Sequence, residues 1–316
     1  AETAEVFKDH QVEGPLDPEA GVVMEGGVTV DGGAIAAIGD HPAQGDVIDC
    51  GGLYLAPGIV DVGVKVSEPG ERHKESFASA GRAAAAGGVT TMVTRPDTNP
   101  PVDSPETLQF LHRRAIEDSI VRVLPMACLT KRREGREMTE IGFLQDAGAV
   151  AFTDADRPVE DTRVLVRALA YAASMDALVI GHGQEPCLSA GAAMTSGAYA
   201  TKLGLPSVSP IAERIQIARD LALVETVGVR YHVDTVSTRL GLDVVRRMGI
   251  PVLDAAALQH LAPPHLVLDG IIGYSLQGAP RGDAATLIGW ANRQAAPVLA
   301  LDAPSGIDTG SGTVYE

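Results

Sequence analysis

Two aspartates in this chain stand where an anion would be handled. Asp269, in VLDGIIGYSLQGAPRG, and Asp302, in VLALDAPSGIDTGSG, each close an apolar run and precede a Gly-rich turn. A βαβ unit brings such residues to neighbouring strand ends, where turn N–H groups make an anion pocket. Cys50, Cys128 and Cys187 are too few and too scattered for a disulfide framework or a thiolate zinc site, so each reads as a small buried hydrophobe. The basic clusters RHKE (72–75) and KRREGR (131–136) read as solvated loops, with a protein interface as the sharper alternative.

The elements that position these residues follow from pattern. Residues 21–55 are short strands broken by Gly pairs, a small β module. From residue 58, apolar runs alternate with amphipathic helices, the mark of parallel βαβ units. Strands are expected at 59–66, 89–95, 121–127, 149–154, 178–183 and 229–236, and further on at 250–255, 266–273 and 297–304. Asp103 and Ser104 before Pro105 start a helix with the stripe Leu108, Leu111, Ala115 and Ile116. Asp161 caps another, with Val164, Leu165, Ala168, Leu169 and Ala172 inward; 211–227 and 283–295 are patterned alike. The Ala-rich stretch 82–87 is expected to pack against the strands. The fold class is therefore α/β, a (β/α)8-like barrel with its site at the C-terminal strand ends. Domain boundaries are expected at 1–56, 57–248 and 249–316.

Composition bounds the partners. In 316 residues Asp+Glu number 41 against Lys+Arg 25, a net charge of −16, which argues against nucleic acid and anionic membrane as partners. Apolar content of 45% and a mean hydropathy of +0.10 exclude global disorder. No run reaches the roughly 18 apolar residues of a membrane helix, and AETAEVFKDHQVEG lacks the regions of a signal peptide, so a soluble cytoplasmic protein is expected.

Residues 55–100, LAPGIVDVGVKVSEPGERHKESFASAGRAAAAGGVTTMVTRPDTNP, resemble dihydroorotase, a cyclic amidohydrolase of pyrimidine biosynthesis. AFTDADRPVEDTR (151–163), VIGHGQEPCLSAG (179–191), TKLGLPSVSPIAERIQIARDLALVE (201–225) and GVRYHVDTVST (228–238) extend the likeness over roughly residues 20–247. The resemblance implies an amidohydrolase barrel with the β module as a small sandwich beside it. It also implies a zinc centre, whose ligands let the metal generate hydroxide and polarise a carbonyl. In the family an Asp on the first strand precedes a His-x-His pair; here Asp61 is present, but the histidine positions are Gly63 and Lys65. Glycine cannot ligate, and the lysine ammonium repels a metal ion. The family's substrate arginine and asparagine positions are Ser67 and Asp97, and Asp97 opposes an anionic substrate. His182 matches a fifth-strand ligand, Thr235 stands at the sixth-strand ligand and leaves only His232, and Asp154 or Asp156 stands at the bridging carboxylate. His182 and His232 are then expected as satisfied polar residues near the mouth. Asp154 is expected as a cap or as the partner of Lys65, whose charge would replace the metal's.

After about residue 248 this likeness stops, and residues 249–316 resemble the N-terminal domain of NAD(P)H-hydrate epimerase, a βαβ segment of Rossmann-like character. That resemblance implies Asp269 at a potassium site and Asp302 as catalytic acid or base. The family's Gly-Asn-Asn-Gly-Gly-Asp-Gly phosphate loop occurs nowhere in the 316 residues, so epimerase activity is not expected. The same strands also suit the last positions of the barrel through right-handed crossovers.

Some dihydroorotase-like chains lack the metal ligands and serve as non-catalytic scaffolds that associate with aspartate carbamoyltransferase. This chain resembles that subgroup, so the leading expectation is an assembly subunit with no cofactor; self-association as a homo-oligomer stays open. The alternatives are a residual zinc-dependent dihydroorotase using His182, Asp154 and Asp302, and a truncated, potassium-dependent epimerase using Asp269 and Asp302.

Overall fold

The computed structural model describes residues 57–247 without a break, together with 5–8, 16–17, 22–23, 26–39, 45–49, 55, 267–269, 279–293, 298–300, 307–308 and 313–314. Two units divide the chain: Ile59–Val252, and Ala1–Gly58 with Leu253–Glu316.

The early strands are Glu5–Lys8 (β1), Leu16–Asp17 (β2), Val22–Val23 (β3), Gly27–Asp31 (β4), Ala34–Gly39 (β5) and Asp46–Asp49 (β6), four of them in one sheet of order β5-β4-β1-β6. The Gly pair that punctuates the sequence is a hairpin turn: Gly32 and Gly33 have φ of 56° and 76°, left-handed values that glycine adopts without a Cβ clash. β1 joins this sheet from outside the 21–55 stretch that reads as strands.

The middle unit holds a run of parallel strands. Ile59–Val64 (β7), Val89–Thr94 (β8) and Arg122–Pro125 (β9) form one sheet, and Leu178–His182 (β10) pairs with the later Arg230–Asp234. Between them the expected 149–154 strand shrinks to Phe152, which bridges Ala127 on one side and Val179 on the other. Its ladder bonds persist, Phe152 N donating to Leu178 O and Ile180 N to Phe152 O, both at 2.9 Å. Met194–Thr195 (β11) and Ser207–Val208 (β12) form a small excursion before Arg230–Asp234 (β13). Six strand positions thus run side by side in chain order, as a (β/α) barrel requires.

The helices around these strands are Phe77–Ala86 (α1), Pro105–Asp118 (α2), Ile141–Asp146 (α3), Thr162–Ser174 (α4), Pro186–Ser189 (α5), Ala198–Leu203 (α6), Ile211–Val227 (α7) and Arg239–Arg247 (α8). The Ser104 hydroxyl accepts from Thr107 N at 3.4 Å with Pro105 at the first position, and Asp161 accepts from Arg163 N at 2.8 Å. Leu108, Leu111 and Ala115 of α2 and Leu165, Ala168, Leu169 and Ala172 of α4 are buried with Phe77, Met92, Phe152 and Val179 in one core. Ile116, expected in the α2 stripe, is 70% exposed instead. In the Ala-rich 82–87 stretch, Ala84 packs against the core as the next step of the inward arc of Phe77, Ala80 and Gly81, whereas Ala83, Ala85 and Ala86 are exposed. Cys128 is buried, Cys187 is exposed against expectation because its short helix α5 lies outside the core, and Cys50 falls outside the described residues.

Val267–Asp269 (β14) and Val298–Ala300 (β15) pair in parallel around Asp283–Asn292 (α9), and Ile307–Asp308 (β16) pairs with Thr313–Val314 (β17). This βαβ segment groups with the N-terminal strands rather than with the barrel strands. The expected 250–255 strand lies outside the described residues. Among the described residues no helix is long and apolar enough to cross a membrane.

Candidate functional site

The C-terminal ends of β7 and β8 meet in an ion network. Asp97, just beyond β8, has a side chain only 2% exposed, and Lys65, just beyond β7, places Nζ 2.9 Å from its Oδ2. Arg95 donates to the same carboxylate through Nε at 3.2 Å and Nη2 at 3.1 Å. Burial pushes the Asp97 carboxyl up, but the Lys65 hydrogen bond and the Arg95 charge outweigh it and hold the group below the usual range. The partner of Lys65 is therefore Asp97 and not Asp154. Arg95, which pattern reading missed, lies two residues from Asp97 in the same RPDTNP stretch.

Asp154 sits in a different environment. Its Oδ1 accepts from Thr130 N at 2.9 Å and its Oδ2 from the Thr130 hydroxyl, while its exposure is 4%. Burial dominates and pushes its carboxyl up to about 6, against the lowering effect of the Thr130 bonds and the Arg133 charge. Arg133 donates through Nε to the Asp154 carbonyl at 3.0 Å and through Nη2 to Asp156. So Arg133, in the basic run read as a solvated loop, is a packed residue with an 11% exposed side chain.

His182 at the end of β10 lies 3.7 Å from Asp234, through Nδ1 and Oδ2, too far for a hydrogen bond. Its Nδ1 is sealed from solvent without a hydrogen-bond partner, so the expectation of a satisfied histidine fails there. His232 is exposed on β13, although its register partner Ile180 is buried. Thr235 takes a left-handed φ of 57° and donates to Asp234 at 3.1 Å. Asp61 is exposed on β7, Ser67 is buried, and Gly63 has φ of 99° at a register shift between Val62 and Val64. Asp269 ends β14 opposite Ala300, and Asp302 lies outside the described residues. Among the described residues no three His, Cys, Asp or Glu side chains gather as a metal site.

Two buried carboxylates on α7 went unread. Glu213 accepts from the backbone N–H and hydroxyl of both Ser237 and Thr238 at 2.5–2.9 Å, tying the β13–α8 turn to α7. Asp220 accepts from Gln216, Arg219 and the Tyr231 hydroxyl, the last at 2.9 Å. The signal was present: Glu213, Gln216, Ile217 and Asp220 fall at i, i+3, i+4 and i+7, so the helix face that carries them turns inward.

Comparison with known proteins follows the same division of the chain. A family described as dihydro-orotase-like matches residues 52–240, and one described as YjeF-related protein N-terminus matches residues 215–316, so the two overlap within α7 and β13. The chain is 38% identical over 252 residues to a dihydroorotase-like protein of Pseudomonas putida, covering 78% of this chain and 59% of that one. It is also 38% identical over 250 residues to a dihydroorotase of Geobacillus thermodenitrificans, covering 77% and 58%. The chain thus spans under three fifths of the length of the curated relatives it matches. Among solved structures, an L-hydantoinase from Arthrobacter aurescens aligns at TM-score 0.63 and 20% identity over 78% of this chain and 56% of its own. A D-hydantoinase aligns at 0.59 and 21% over 82% and 60%. At such identities these two speak for the barrel fold alone.

Proposed function

The chain belongs to the dihydroorotase-like family, and from that premise we propose that it is a non-catalytic member acting as an assembly subunit of pyrimidine biosynthesis. The observation that carries this reading is the Lys65–Asp97 pair at 2.9 Å, reinforced by Arg95. A cation of the protein itself stands at a position where the family places a metal-ligating imidazole. Zinc does not fit these residues. Gly63 offers no donor, Lys65 brings positive charge, Thr235 turns its hydroxyl to Asp234, and both Asp154 oxygens accept from Thr130. The reading therefore contains no cofactor and no hydrolytic step. Aspartate carbamoyltransferase is the proposed partner, supported by likeness to the ligand-lacking subgroup.

A second reading draws on Asp154, whose carboxyl is pushed up to about 6 beside a strand end, as functional carboxylates often are. It makes the chain a residual zinc-dependent dihydroorotase. One set of measurements separates the two. The purified chain is incubated with excess Zn²⁺, desalted, assayed for metal and for dihydroorotate turnover, and then mixed with aspartate carbamoyltransferase for size-exclusion chromatography. Zinc near zero, no turnover and co-elution are expected. Stoichiometric zinc with turnover overturns the scaffold in favour of the hydrolase, and potassium-dependent conversion of a hydrated nicotinamide nucleotide assigns activity to the C-terminal segment instead.

A further inference from the structure

The loops that follow β9, Phe152 and β10 line an open cleft of about 570 Å³ whose wall includes Arg133, Arg136, Arg157, His182, Gln184 and Ser189. Its volume lies in the range of small-molecule sites, roughly 300–1,000 Å³. Three guanidinium groups line it together with three carboxylates, Glu134, Asp156 and Glu160, so the lining is charge-balanced in a chain of net charge −16. Two of the acids beside them are already answered: Glu134 lies 3.9 Å from Arg132, and Asp156 is held by Arg133 and lies 3.8 Å from Arg95. Arg136 and Arg157 have no ion-pair partner among the described residues. Glu160, also on the wall, lowers the net field, so capture here depends on directed guanidinium bonds more than on charge alone.

The wall is also preorganised. Arg133 is fixed by Asp154 and Asp156, and Arg132, Arg133 and Ala155 hold left-handed φ of 53°, 58° and 56° without being glycine. Backbone of that kind persists only where its surroundings over-determine it, and it concentrates at ligand clamps.

We propose that this cleft binds a small molecule carrying two or more oxyanion groups, a phosphate ester or a polycarboxylate, gripped by Arg136 and Arg157. Planar guanidinium forks match either group with two parallel hydrogen bonds, and Gln184 and Ser189 supply polar contacts to the rest of the ligand. Arg136, Arg157, Gln184 and Ser189 are not positions that the family likeness aligns with metal ligands, although His182 and Asp156, which line the same cleft, are.

The test is calorimetric titration of the full chain with pyrophosphate and, separately, with citrate at near-physiological salt. One saturable site per chain is expected for at least one of them; pyrophosphate alone assigns a phosphate ligand and citrate alone a polycarboxylate. Arg136→Gln and Arg157→Gln each weaken binding by roughly tenfold, the size of one lost charge-assisted contact. The control Arg113→Gln, an equal charge change on the exposed face of α2, leaves it unchanged. Both cleft variants alter exposed side chains, and their unfolding midpoints confirm that they fold. Failure of both anions to saturate, or equal weakening by Arg113→Gln, overturns the proposal.

Discussion

The two halves of the barrel mouth have handled their charges in opposite ways. At the β7–β8 corner a buried carboxylate, Asp97, meets two cations, and its charged form is stabilised. Asp154, the more deeply buried of the two, meets neutral donors from Thr130 and only the Nε–H of Arg133 at its carbonyl, so its charged form is disfavoured. His182 nearby keeps an Nδ1 with no hydrogen bond. The carboxylate of the β7–β8 corner is neutralised from within, whereas Asp154 and His182 carry an unbalanced cost. Burial of carboxylates therefore need not destabilise a barrel uniformly: what matters is whether a cation stands beside each of them.

The largest expected effect reads this contrast through pH. A carboxyl with its folded pKa raised to about 6 contributes stability that is complete below its unfolded value near 4 and is lost as pH rises through 6. Asp154→Asn removes that dependence. Relative to wild type, the variant is expected to gain on the order of 3 kcal/mol between pH 4 and pH 7, with no further change above. Urea unfolding of both proteins across this range checks it, and parallel curves would remove the contrast. Asp97 has the opposite sign, its contribution being present above its unfolded pKa and lost as pH falls through the lowered folded one. Asp97→Ala strands Lys65 and Arg95 and is expected to cost about 2 kcal/mol at pH 7, below the figure for fully buried pairs because Lys65 is half exposed. An unfolding midpoint shift under a quarter of that size would show that the network contributes little.

Most of the framework was legible in the sequence because it rests on local rules. Five of the six expected barrel strands appear within three residues of their expected ends, and the caps at Ser104 and Asp161 form as their residue types demand. The 149–154 strand was overestimated because apolar runs do not reveal how many residues the neighbouring strands will pair. The positions that the family likeness aligns with metal ligands were legible only through that likeness. What they became was not: Lys65 chose Asp97 over Asp154 because chain direction after β7 and β8 brings those two loops together, a tertiary fact with no short-range signature. Arg133 and the α7 carboxylates stayed hidden for a related reason, since charged side chains read as solvated until a buried partner is known.

The smaller effects test how far the β7 corner tolerates other side chains. At Gly63 there is open space, with nothing within 4 Å of an added Cβ, but φ is 99°. A histidine there is strained by its backbone rather than by its neighbours, and Gly63→His is expected to cost about 1–2 kcal/mol and to bind no zinc alone. Unchanged stability in urea would mean that β7 relaxes its register shift to accept the side chain. Lys65→Met is expected to cost least, below about 1 kcal/mol, because the ammonium is 56% exposed and Arg95 continues to hold Asp97. A cost equal to that of Asp97→Ala would make Lys65 the chief support of the buried carboxylate. The modest value instead assigns that part to Arg95.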